Sequence, residues 1–431
     1  MKILYAALLC LLMLVGTPFA QAAGTISVGL VADQFTAEIS SDADFTVKTR
    51  AYGGGNSREF MFKAGKYYFN AANHRLNVED MSFGDAVATI EGEGVKVNGR
   101  EYRGRIEILL RRGGKNLVVR NVLPVEEYLY SVMGRTVPAY FPDEALKAQA
   151  VAMRTYALYT AQNGSDPDFD IRAGEKNFIY TGVDGEQRPL NNLIDATKGE
   201  VVTYGGSLIA AYTTLSSGGY TENSENVIGR YLPYLRSVKD FDGDAPDYNW
   251  ERSFEAKDIA AGLQRGGYDC GKLGSIQLSD MDADAPDRSD TGRVLQLGFA
   301  GDKGSIIVPA AKAMEMFGLP STLFSIEVTR PIPDKLDVPI ENYLGMEIGR
   351  KEIEIELKDK EKTETGIAKT IKLISGVDGE KVIFKGRGSG TGLGLSLWGA
   401  RQLANDAGNA AGYYKQILRY YYRNTNVAKI Y

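Results

Sequence analysis

The sequence predicts an α+β fold, because glycine-turned hairpins and an alanine-rich helix occupy separate stretches of the chain. The helix is indicated by EALKAQAVAMRTYALYTAQN, residues 144–163, in which apolar residues recur at helical spacing. Short runs rich in valine, isoleucine and tyrosine flank three hairpin turns. These turns are Asn98-Gly99, Gly113-Gly114 and Gly205-Gly206.

Residues 1–22 predict a secretory signal peptide. Lys2 precedes the apolar run ILYAALLCLLMLVG, and Ala20-Gln21-Ala22 forms an A-x-A cleavage motif. The apolar run is too short to span a bilayer, and Cys10 lies inside it rather than after the motif. We therefore expect an exported protein of the cell envelope, periplasmic or extracellular, with no transmembrane segment in the mature chain.

The next two parts are a β-rich region, residues 23–100, and a core with a helix pair and hairpins, residues 101–235. No proline occurs from Ala23 to Leu123, where strand-like runs alternate with turns. Pro124 opens a short helix that we expect to end at Gly134, and Pro142 opens the longer helix ending at Gly164.

The last two parts are a mixed α/β region, residues 236–385, and a glycine-rich strand with C-terminal helices, residues 386–431. The first contains the charged, alternating EIEIEL, which predicts an exposed strand. In the second, LWGARQLAND and YYKQILRYYYRN predict helices, and VAKIY predicts a final strand that completes the core.

Composition excludes several classes of function. The 50 basic and 55 acidic residues are interleaved, which argues against nucleic acid as a partner. His74, in a predicted surface turn, is the only histidine, and Cys270 is the only cysteine after the signal peptide. We expect no metal site, no cofactor and no Ser-His-Asp triad. The acidic stretch 280–291 has Ala285 and Thr291 where a calcium loop needs glycine and glutamate.

The stretch GRGSGTGLGLSLWGA, residues 386–400, has glycine at every second position from Gly386 to Gly394. It matches neither G-x-G-x-x-G nor a phosphate-binding P-loop. An extended chain would place the five glycines on one face and leave bare backbone there. Tight internal packing and close approach of a ligand both explain such a face, and the sequence leaves the choice open.

Three blocks in order resemble the SpoIID/LytB family, whose members act on bacterial peptidoglycan. The first is LPVEEYLYSVM with VPAYFPDEALKAQAVAMRTYALY, and the second is ATKGEVVTYGGSLIAAYTTLSSGGYTENSENVIG with LPYLRSVKD. The third is the glycine-rich stretch, similar to the family pattern GRGWGHGVGMSQWGA, followed by ILRYYYRNTNVAKIY. The resemblance implies a SpoIID-type fold, lytic transglycosylase chemistry on peptidoglycan glycan strands, and a cell-wall amidase as a further partner.

The implied reaction needs one protonated carboxyl group, and the sequence lacks it at the matching position. The family carries a glutamate two residues before the proline of this segment, where VMGRTVPAYFP has Thr136. A hydroxyl is too weak an acid to protonate a glycosidic oxygen near neutral pH. Ser389, Thr391 and Leu397 likewise replace the tryptophan, histidine and glutamine of the family pattern.

The resemblance still implies a substrate-binding groove built from family-typical positions. We expect it to contain Gln149, Arg154, Ser217, Gly218, Tyr220, Gly390, Thr391 and Gly392. For Arg154 and the glycines, buried packing is an equally good explanation. Two functions remain open at this point. One is a non-catalytic protein that binds glycan or modulates an amidase, and the other is a lytic transglycosylase with a different acid.

Overall fold

A computed structural model describes the chain from residue 24 to residue 431 with several internal gaps. The described ranges are 24–51, 57–83, 86–111, 114–174, 178–246, 248–330, 335–342, 345–354, 370–377 and 379–431. The chain divides into two compact units. Unit 1 comprises Met1–Thr213 and Ala400–Tyr431, and unit 2 comprises Thr214–Gly399.

Strands and helices both occur throughout the described residues, which confirms the α+β class. The strands up to the central hairpin are β1 Thr25–Gln34, β2 Thr36–Ser41, β3 Phe45–Ala51, β4 Arg58–Phe62, β5 Gly65–Ala72, β6 Arg75–Val78, β7 Met81–Ser82, β8 Ala86–Glu91, β9 Lys96–Val97, β10 Arg100–Glu101, β11 Arg105–Leu110, β12 Leu117–Pro124, β13 Ile171–Arg172, β14 Glu200–Tyr204 and β15 Ser207–Leu208. The remaining strands are β16 Thr213–Thr214, β17 Asn249–Phe254, β18 Leu273–Gln277, β19 Gln296–Gly301, β20 Gly304–Pro309, β21 Phe324–Thr329, β22 Lys335–Glu341, β23 Glu347–Glu354, β24 Ile371–Leu373, β25 Lys381–Arg387, β26 Leu395–Ser396 and β27 Asn426–Lys429. The α-helices are α1 Val125–Thr136, α2 Asp143–Asn163, α3 Arg188–Ala196, α4 Ser224–Ile228, α5 Ala256–Arg265, α6 Ala310–Phe317, α7 Leu397–Asp406 and α8 Tyr414–Tyr421.

Unit 1 contains a seven-stranded sheet in the order β13-β1-β12-β11-β8-β3-β4. Its strands pair antiparallel except for β13, which runs parallel to β1. A six-stranded sheet, β10-β9-β2-β5-β6-β7, shares one apolar core with it. Alternate residues such as Val47, Ile90, Ile108 and Val119 point into this core, as period-two strands require.

Unit 2 is built from smaller antiparallel sheets. The three-stranded sheet β17-β25-β21 and the four-stranded sheet β20-β19-β18-β24 share a core that includes Phe299, Phe324 and Phe384. The ring centroids of Phe324 and Phe384 lie 5.5 Å apart. Helices α5 and α6 contribute Ile259, Leu263, Ala313 and Phe317 to the same cluster, so these sheets and helices fold as one packed body.

The predicted hairpins are present where their turns can be described. Asn98 and Gly99 have φ values of 49° and 79°, and Gly205 and Gly206 have φ values of 56° and 83°. Two left-handed residues in succession are what a type I′ hairpin turn requires. Strands β11 and β12 pair as predicted, although Gly113 of their turn lies outside the described residues.

The predicted end of the first helix is wrong, because α1 continues through Gly134 to Thr136. Gly134 serves a close approach instead: a Cβ at this position would lie 1.9 Å from the carbonyl oxygen of Gly185. The longer helix spans Asp143–Asn163 and ends at Gly164, as predicted. His74 lies in the turn between β5 and β6 with a φ of 58°, also as predicted.

The C-terminal elements also follow the prediction, with α7, α8 and β27 at the expected places. Of EIEIEL, residues 352–354 belong to β23 and the rest lies outside the described residues. The predicted signal peptide, residues 1–22, lies outside them as well. Among the residues that are described, no helix has the length and apolar composition that crossing a membrane requires. The finer division into parts ending at 100, 235 and 385 stays a prediction.

Candidate functional site

In unit 1 the family-typical positions lie on α1 and α2. Helix α1 follows Pro124 and carries Glu126 and Glu127 in its first turn, where carboxylates favour the helix dipole. Thr136 is its last residue and is partly buried. The Thr136 hydroxyl donates a hydrogen bond to the Val132 carbonyl of the preceding turn. The side chain at the family's glutamate position is therefore neutral and bound to its own helix.

Arg154 lies inside unit 1 with 0% of its surface exposed. Its Nε donates to Glu126 Oε1 at 3.1 Å, and its terminal nitrogens donate to the carbonyls of Ile194 at 2.9 Å and Glu200 at 3.1 Å. Burial lowers the pKa of Arg154, and the charge of Glu126 opposes that shift. In this arrangement Arg154 joins α1 and α2 to α3 and β14, which is the packing role that the sequence left open.

Gln149 also lies on α2 and is 4% exposed. Its Oε1 atom is buried and accepts no hydrogen bond within the described part of the chain. A buried amide oxygen without a donor is uncommon, because desolvation of such a group costs about 1–3 kcal/mol. Gln149 is thus the predicted site residue in unit 1 that keeps an unused polar atom.

The glycine-rich segment of unit 2 is not the extended strand that the sequence predicted. Strand β25 ends at Arg387, and beyond it Gly388, Gly390, Gly392 and Gly394 have φ values of 75°, 102°, 76° and 79°. These left-handed conformations turn the chain repeatedly and remove the predicted single bare face. The glycines are needed for backbone turns that other residues adopt only under strain.

The space beside these glycines is filled by the protein's own atoms. A Cβ on Gly388 would lie 2.7 Å from the Gly218 nitrogen, and one on Gly390 would lie 2.5 Å from Thr214 Oγ1. A Cβ on Gly392 would lie 2.3 Å from the Arg293 guanidinium. The predicted flat glycine floor for a ligand is therefore corrected: the chain packs internally at these three glycines.

The serine–glycine loop next to this segment is held by two buried aspartates. Ser216 Oγ and the Gly218 amide donate to Asp242 Oδ2 at 2.5 and 2.8 Å. Ser217 Oγ donates to Asp240 Oδ2 at 2.5 Å, and Ser217 is 0% exposed. The predicted binding residues Ser217 and Gly218 are thus brought next to the glycine segment, with the serine hydroxyl directed inward.

Sequence reasoning missed four buried charged residues that support this loop, namely Glu222, Asp240, Asp242 and Arg293. Arg293 Nη2 donates to the Ser217 carbonyl at 2.5 Å, and burial lowers the pKa of Arg293 to about 10. Glu222 accepts the hydroxyl of Ser289 at 2.6 Å, while its amide donates to the Gly392 carbonyl at 2.8 Å. Asp240 is the last residue of the second family block and Asp242 lies two residues beyond it, and that position was the available signal.

Two of the predicted residues in unit 2 present side-chain surface to solvent. Tyr220 is 53% exposed, and Thr391 is partly buried. A cavity of about 420 Å³ opens beside Gly386. Its lining consists of Asn249, Trp250, Glu251, Met281, Lys385, Gly386 and Arg387. An exposed phenol ring can stack on a sugar, and a cavity with charged and amide side chains can form hydrogen bonds with one.

Comparison with known proteins gives matches that agree with the three sequence blocks. The SpoIID family model, described as stage II sporulation protein, matches residues 113–204. Stage II sporulation protein D of Bacillus subtilis is 32% identical over 160 residues, covering 33% of this chain and 46% of that protein. The amidase enhancer of the same organism is 26% identical over 385 residues, covering 85% of this chain and 50% of that protein.

A third relative, an uncharacterized protein of Brachyspira hyodysenteriae, is 26% identical over 336 residues, covering 78% of this chain and 74% of that protein. This chain spans only about half the length of the two Bacillus relatives. The match of residues 113–204 includes α1, α2 and β14, the elements that Arg154 joins. On these matches and the three sequence blocks, the chain belongs to the SpoIID/LytB family.

Proposed function

We propose that this protein is exported to the cell envelope, binds peptidoglycan glycan strands there, and cleaves them weakly or not at all. The observation that carries the proposal is Thr136, whose hydroxyl donates to the Val132 carbonyl at the position of the family glutamate. Glycosidic cleavage with an anhydro product needs a carboxyl group that first donates and then accepts a proton. Loss of such a group typically lowers the rate about 10²- to 10⁴-fold.

Three neighbouring acids are poor substitutes for the missing glutamate. Glu126 is 4% exposed and pairs with Arg154, and it also accepts the Tyr431 hydroxyl at 2.6 Å. Glu144 is 2% exposed and accepts the ammonium of Lys147 at 2.7 Å. Asp143 is exposed in the first turn of α2, whereas the reaction requires an acid in a partly desolvated site.

Glu127 favours a second candidate function, a transglycosylase with a relocated acid. Burial raises the pKa of Glu127, Arg103 opposes the shift, and the nearby charge of Glu186 adds to it. Glu127 and Thr136 are nine residues apart on α1, about 13 Å along the axis and about 180° around it. Glu127 would therefore act on the opposite side of the helix, which weakens this candidate.

Binding of glycan is supported by unit 2. The exposed ring of Tyr220 and the cavity lined by Asn249, Glu251 and Arg387 offer the stacking surface and hydrogen-bonding groups that sugars require. Tyr220 lies near the glycine segment, because Glu222 two residues later bonds to the Gly392 carbonyl. Glycan contact at Thr391 and at the backbone of Gly390 belongs to this proposal, as does contact at Gln149.

A cell-wall amidase is the second partner that we propose. The support is the name of one relative, the amidase enhancer, which matches over 85% of this chain. A protein that holds glycan without cutting it would bring an amidase to its substrate by raising the local concentration of both.

The test is incubation of the purified mature protein with cell-wall sacculi. We expect the wild type to sediment with sacculi and to release no anhydro-muropeptides. Release of anhydro-muropeptides by the wild type that is lost in Glu127→Gln would overturn the non-catalytic function in favour of the relocated acid. Failure to sediment would overturn the binding function.

The variant Thr136→Glu tests whether the rest of the site is intact. We expect it to gain measurable release of anhydro-muropeptides, because it restores a carboxyl group at the end of α1. The matched control is Thr136→Gln, because glutamine has nearly the same shape as glutamate but carries no acidic group. This variant should remain inactive. Equal inactivity of both variants would show that replacement of Thr136 is not the change that abolished cleavage.

A further inference from the structure

A cavity of about 640 Å³ lies over the polar face of the seven-stranded sheet in unit 1. It is lined by Thr25, Ile26, Ser27, Lys48, Arg50, Ser57, Val87, Thr89, Arg105, Glu107, Arg120, Val122 and Asp170. These residues come mainly from five strands, β1, β3, β8, β11 and β12, and none of them is among the predicted site residues or used by the proposed function.

The polar face follows from strand alternation. On β3, Val47 and Thr49 are buried, whereas Lys48 and Arg50 point to the opposite face. The register aligns Lys48 with Thr89, Thr89 with Glu107, and Glu107 with Arg120. Four neighbouring strands therefore place one row of polar side chains across the floor of the cavity, and each strand lies about 4.8 Å from the next.

Glu107 organises the arginines of this floor. It is 7% exposed, and it accepts Arg105 Nε at 2.9 Å and Arg120 Nε at 2.8 Å. Arg120 also donates to the Asp168 carbonyl, so its donors are used within the protein. Arg105 donates a hydrogen bond to Glu107 through Nε, and this bond fixes the orientation of the guanidinium. Among the described residues, the two terminal nitrogens of Arg105 have no partner, so both are open to a ligand.

Arg50 supplies a second open guanidinium. It is exposed, and among the described residues it makes no hydrogen bond or ion pair. Lys48 differs, because its ammonium pairs with Glu91 at 3.0 Å and also senses the charge of Glu59. The groups available to a ligand are therefore two guanidinium forks and the hydroxyl-bearing floor between them.

The spacing of the two forks sets the size of the ligand. Arg50 lies opposite Val87, and the register of β8 with β11 places Arg105 two strands away and four residues along. These offsets put the two Cα atoms about 16 Å apart, and both side chains line the cavity on the same face of the sheet. An extended peptide of four residues spans about 13–14 Å, which is comparable to that separation.

We propose that this face binds the carboxylates of the peptidoglycan stem peptide, an inference that rests on the proposed binding of peptidoglycan. Guanidinium forks match planar carboxylates in a bidentate geometry. In intact peptidoglycan the glycan strand is uncharged where its lactyl group is amide-linked, and the carboxylates lie on the peptide. This face of unit 1 would thus hold the wall by its peptide stems, while the Tyr220 ring and the cavity beside Gly386 contact glycan in unit 2.

The test measures binding of a soluble disaccharide-tetrapeptide, of the free tetrapeptide and of peptide-free glycan by titration calorimetry. The variant is Arg50→Glu, which removes no hydrogen bond or ion pair found among the described residues. The matched control is Arg58→Glu on β4, an exposed arginine opposite Thr49 and therefore on the other face of the same sheet. Equal melting temperatures of both variants and the wild type establish that folding is intact.

We expect Arg50→Glu to weaken binding of the disaccharide-tetrapeptide and of the tetrapeptide at least about tenfold, since a charge-assisted bond is replaced by repulsion. Arg58→Glu should stay within about twofold of the wild type, and binding of peptide-free glycan should not change in either variant. Equal affinities of the two variants for the peptide ligands would overturn the inference. So would displacement of the tetrapeptide by inorganic phosphate at lower concentration than by acetate, which would identify a phosphate site.

The failures of the two proposals are distinguishable. If the wild type sediments with sacculi and Arg50→Glu binds the tetrapeptide like Arg58→Glu, only the stem-peptide site is refuted. If the wild type binds neither sacculi nor any wall fragment, the proposed function is refuted and the stem-peptide site with it.

Discussion

Replacing Arg154 by methionine should destabilise unit 1 more than any ordinary surface substitution. The guanidinium is completely buried, and it pairs with Glu126, two backbone carbonyls and Thr197. Methionine fills a similar volume but supplies no donor. Glu126 would then remain buried as an uncompensated charge, and its remaining donors among the described residues would be the Tyr431 hydroxyl at 2.6 Å and the Gly199 amide at 3.3 Å.

The size of the effect follows from what is left unpaired. Removing one partner of a buried ion pair costs about 3–5 kcal/mol of folding free energy. The cost of leaving the carbonyls of Ile194 and Glu200 without their donor is included in that range. For a unit of this size, 4 kcal/mol corresponds to a decrease of about 10 °C in the melting temperature. Arg154→Lys should recover only part of this, because one ammonium cannot reach acceptors on α1, α3 and β14 together.

The assay is thermal unfolding followed by far-ultraviolet circular dichroism, with the lowest transition compared between variants. The double variant Arg154→Met/Glu126→Gln removes the stranded charge but keeps an acceptor for Tyr431. It should therefore be more stable than Arg154→Met alone by about 1–3 kcal/mol. A loss below about 1 kcal/mol for Arg154→Met, or strict additivity in the double variant, would refute the assignment of Arg154 as the packing centre of the helix pair.

Two further substitutions test the packing in each unit. Gly392→Ala should destabilise unit 2 by about 2–4 kcal/mol in urea unfolding, because its Cβ would lie 2.3 Å from the Arg293 guanidinium at a φ of 76°. Gly318→Ala, with a φ of 59° and open space around its Cβ, is the control and should lose only about 1 kcal/mol; equal losses would contradict the clash. In unit 1, burial would raise the pKa of Glu107, but Arg105 and Arg120 hold it below its ordinary value. A lowered pKa stabilises the fold above about pH 4.5, and the stabilisation disappears as the pH falls through the folded value. Glu107→Gln should therefore be less stable than the wild type at pH 7, and the difference should shrink progressively as the pH falls below about 4.5. A stability difference that does not depend on pH would contradict this pairing.

The sequence predicted the elements whose causes are local. Helix α2 was predicted within one residue because its apolar stripe, its opening proline and its closing glycine all lie within the element. The turns at Asn98-Gly99 and Gly205-Gly206 were predicted because two left-handed residues in succession define them. The end of α1 was missed because Gly134 does not end the helix. It is needed for the close approach of Gly185, which lies about fifty residues later in the sequence.

The candidate site was predictable only as a list of positions. Resemblance to the family selected Arg154, Ser217 and the glycines, yet no periodicity could show that these groups point inward. The glycine segment illustrates the difficulty, since alternating glycines suggest a flat strand and the observed left-handed turns depend on bonds to Tyr248, Ser216 and Pro320. Glu222 and Arg293 were missed because their roles arise from contacts across 67 and 76 residues of sequence.

The distribution of retained and replaced residues separates folding from chemistry in this family member. Arg154, Ser217 and Gly392 match the family and are buried, and their contacts hold helices, loops and turns in place. Of the four positions that depart from the family, Thr136, Ser389 and Thr391 are partly accessible to solvent, whereas Leu397 is buried. Selection for a stable fold acts on the first group whether or not the protein cuts glycan, whereas catalysis requires the second. Membership of the SpoIID/LytB family therefore predicts this protein's architecture, and its activity has to be inferred from Thr136.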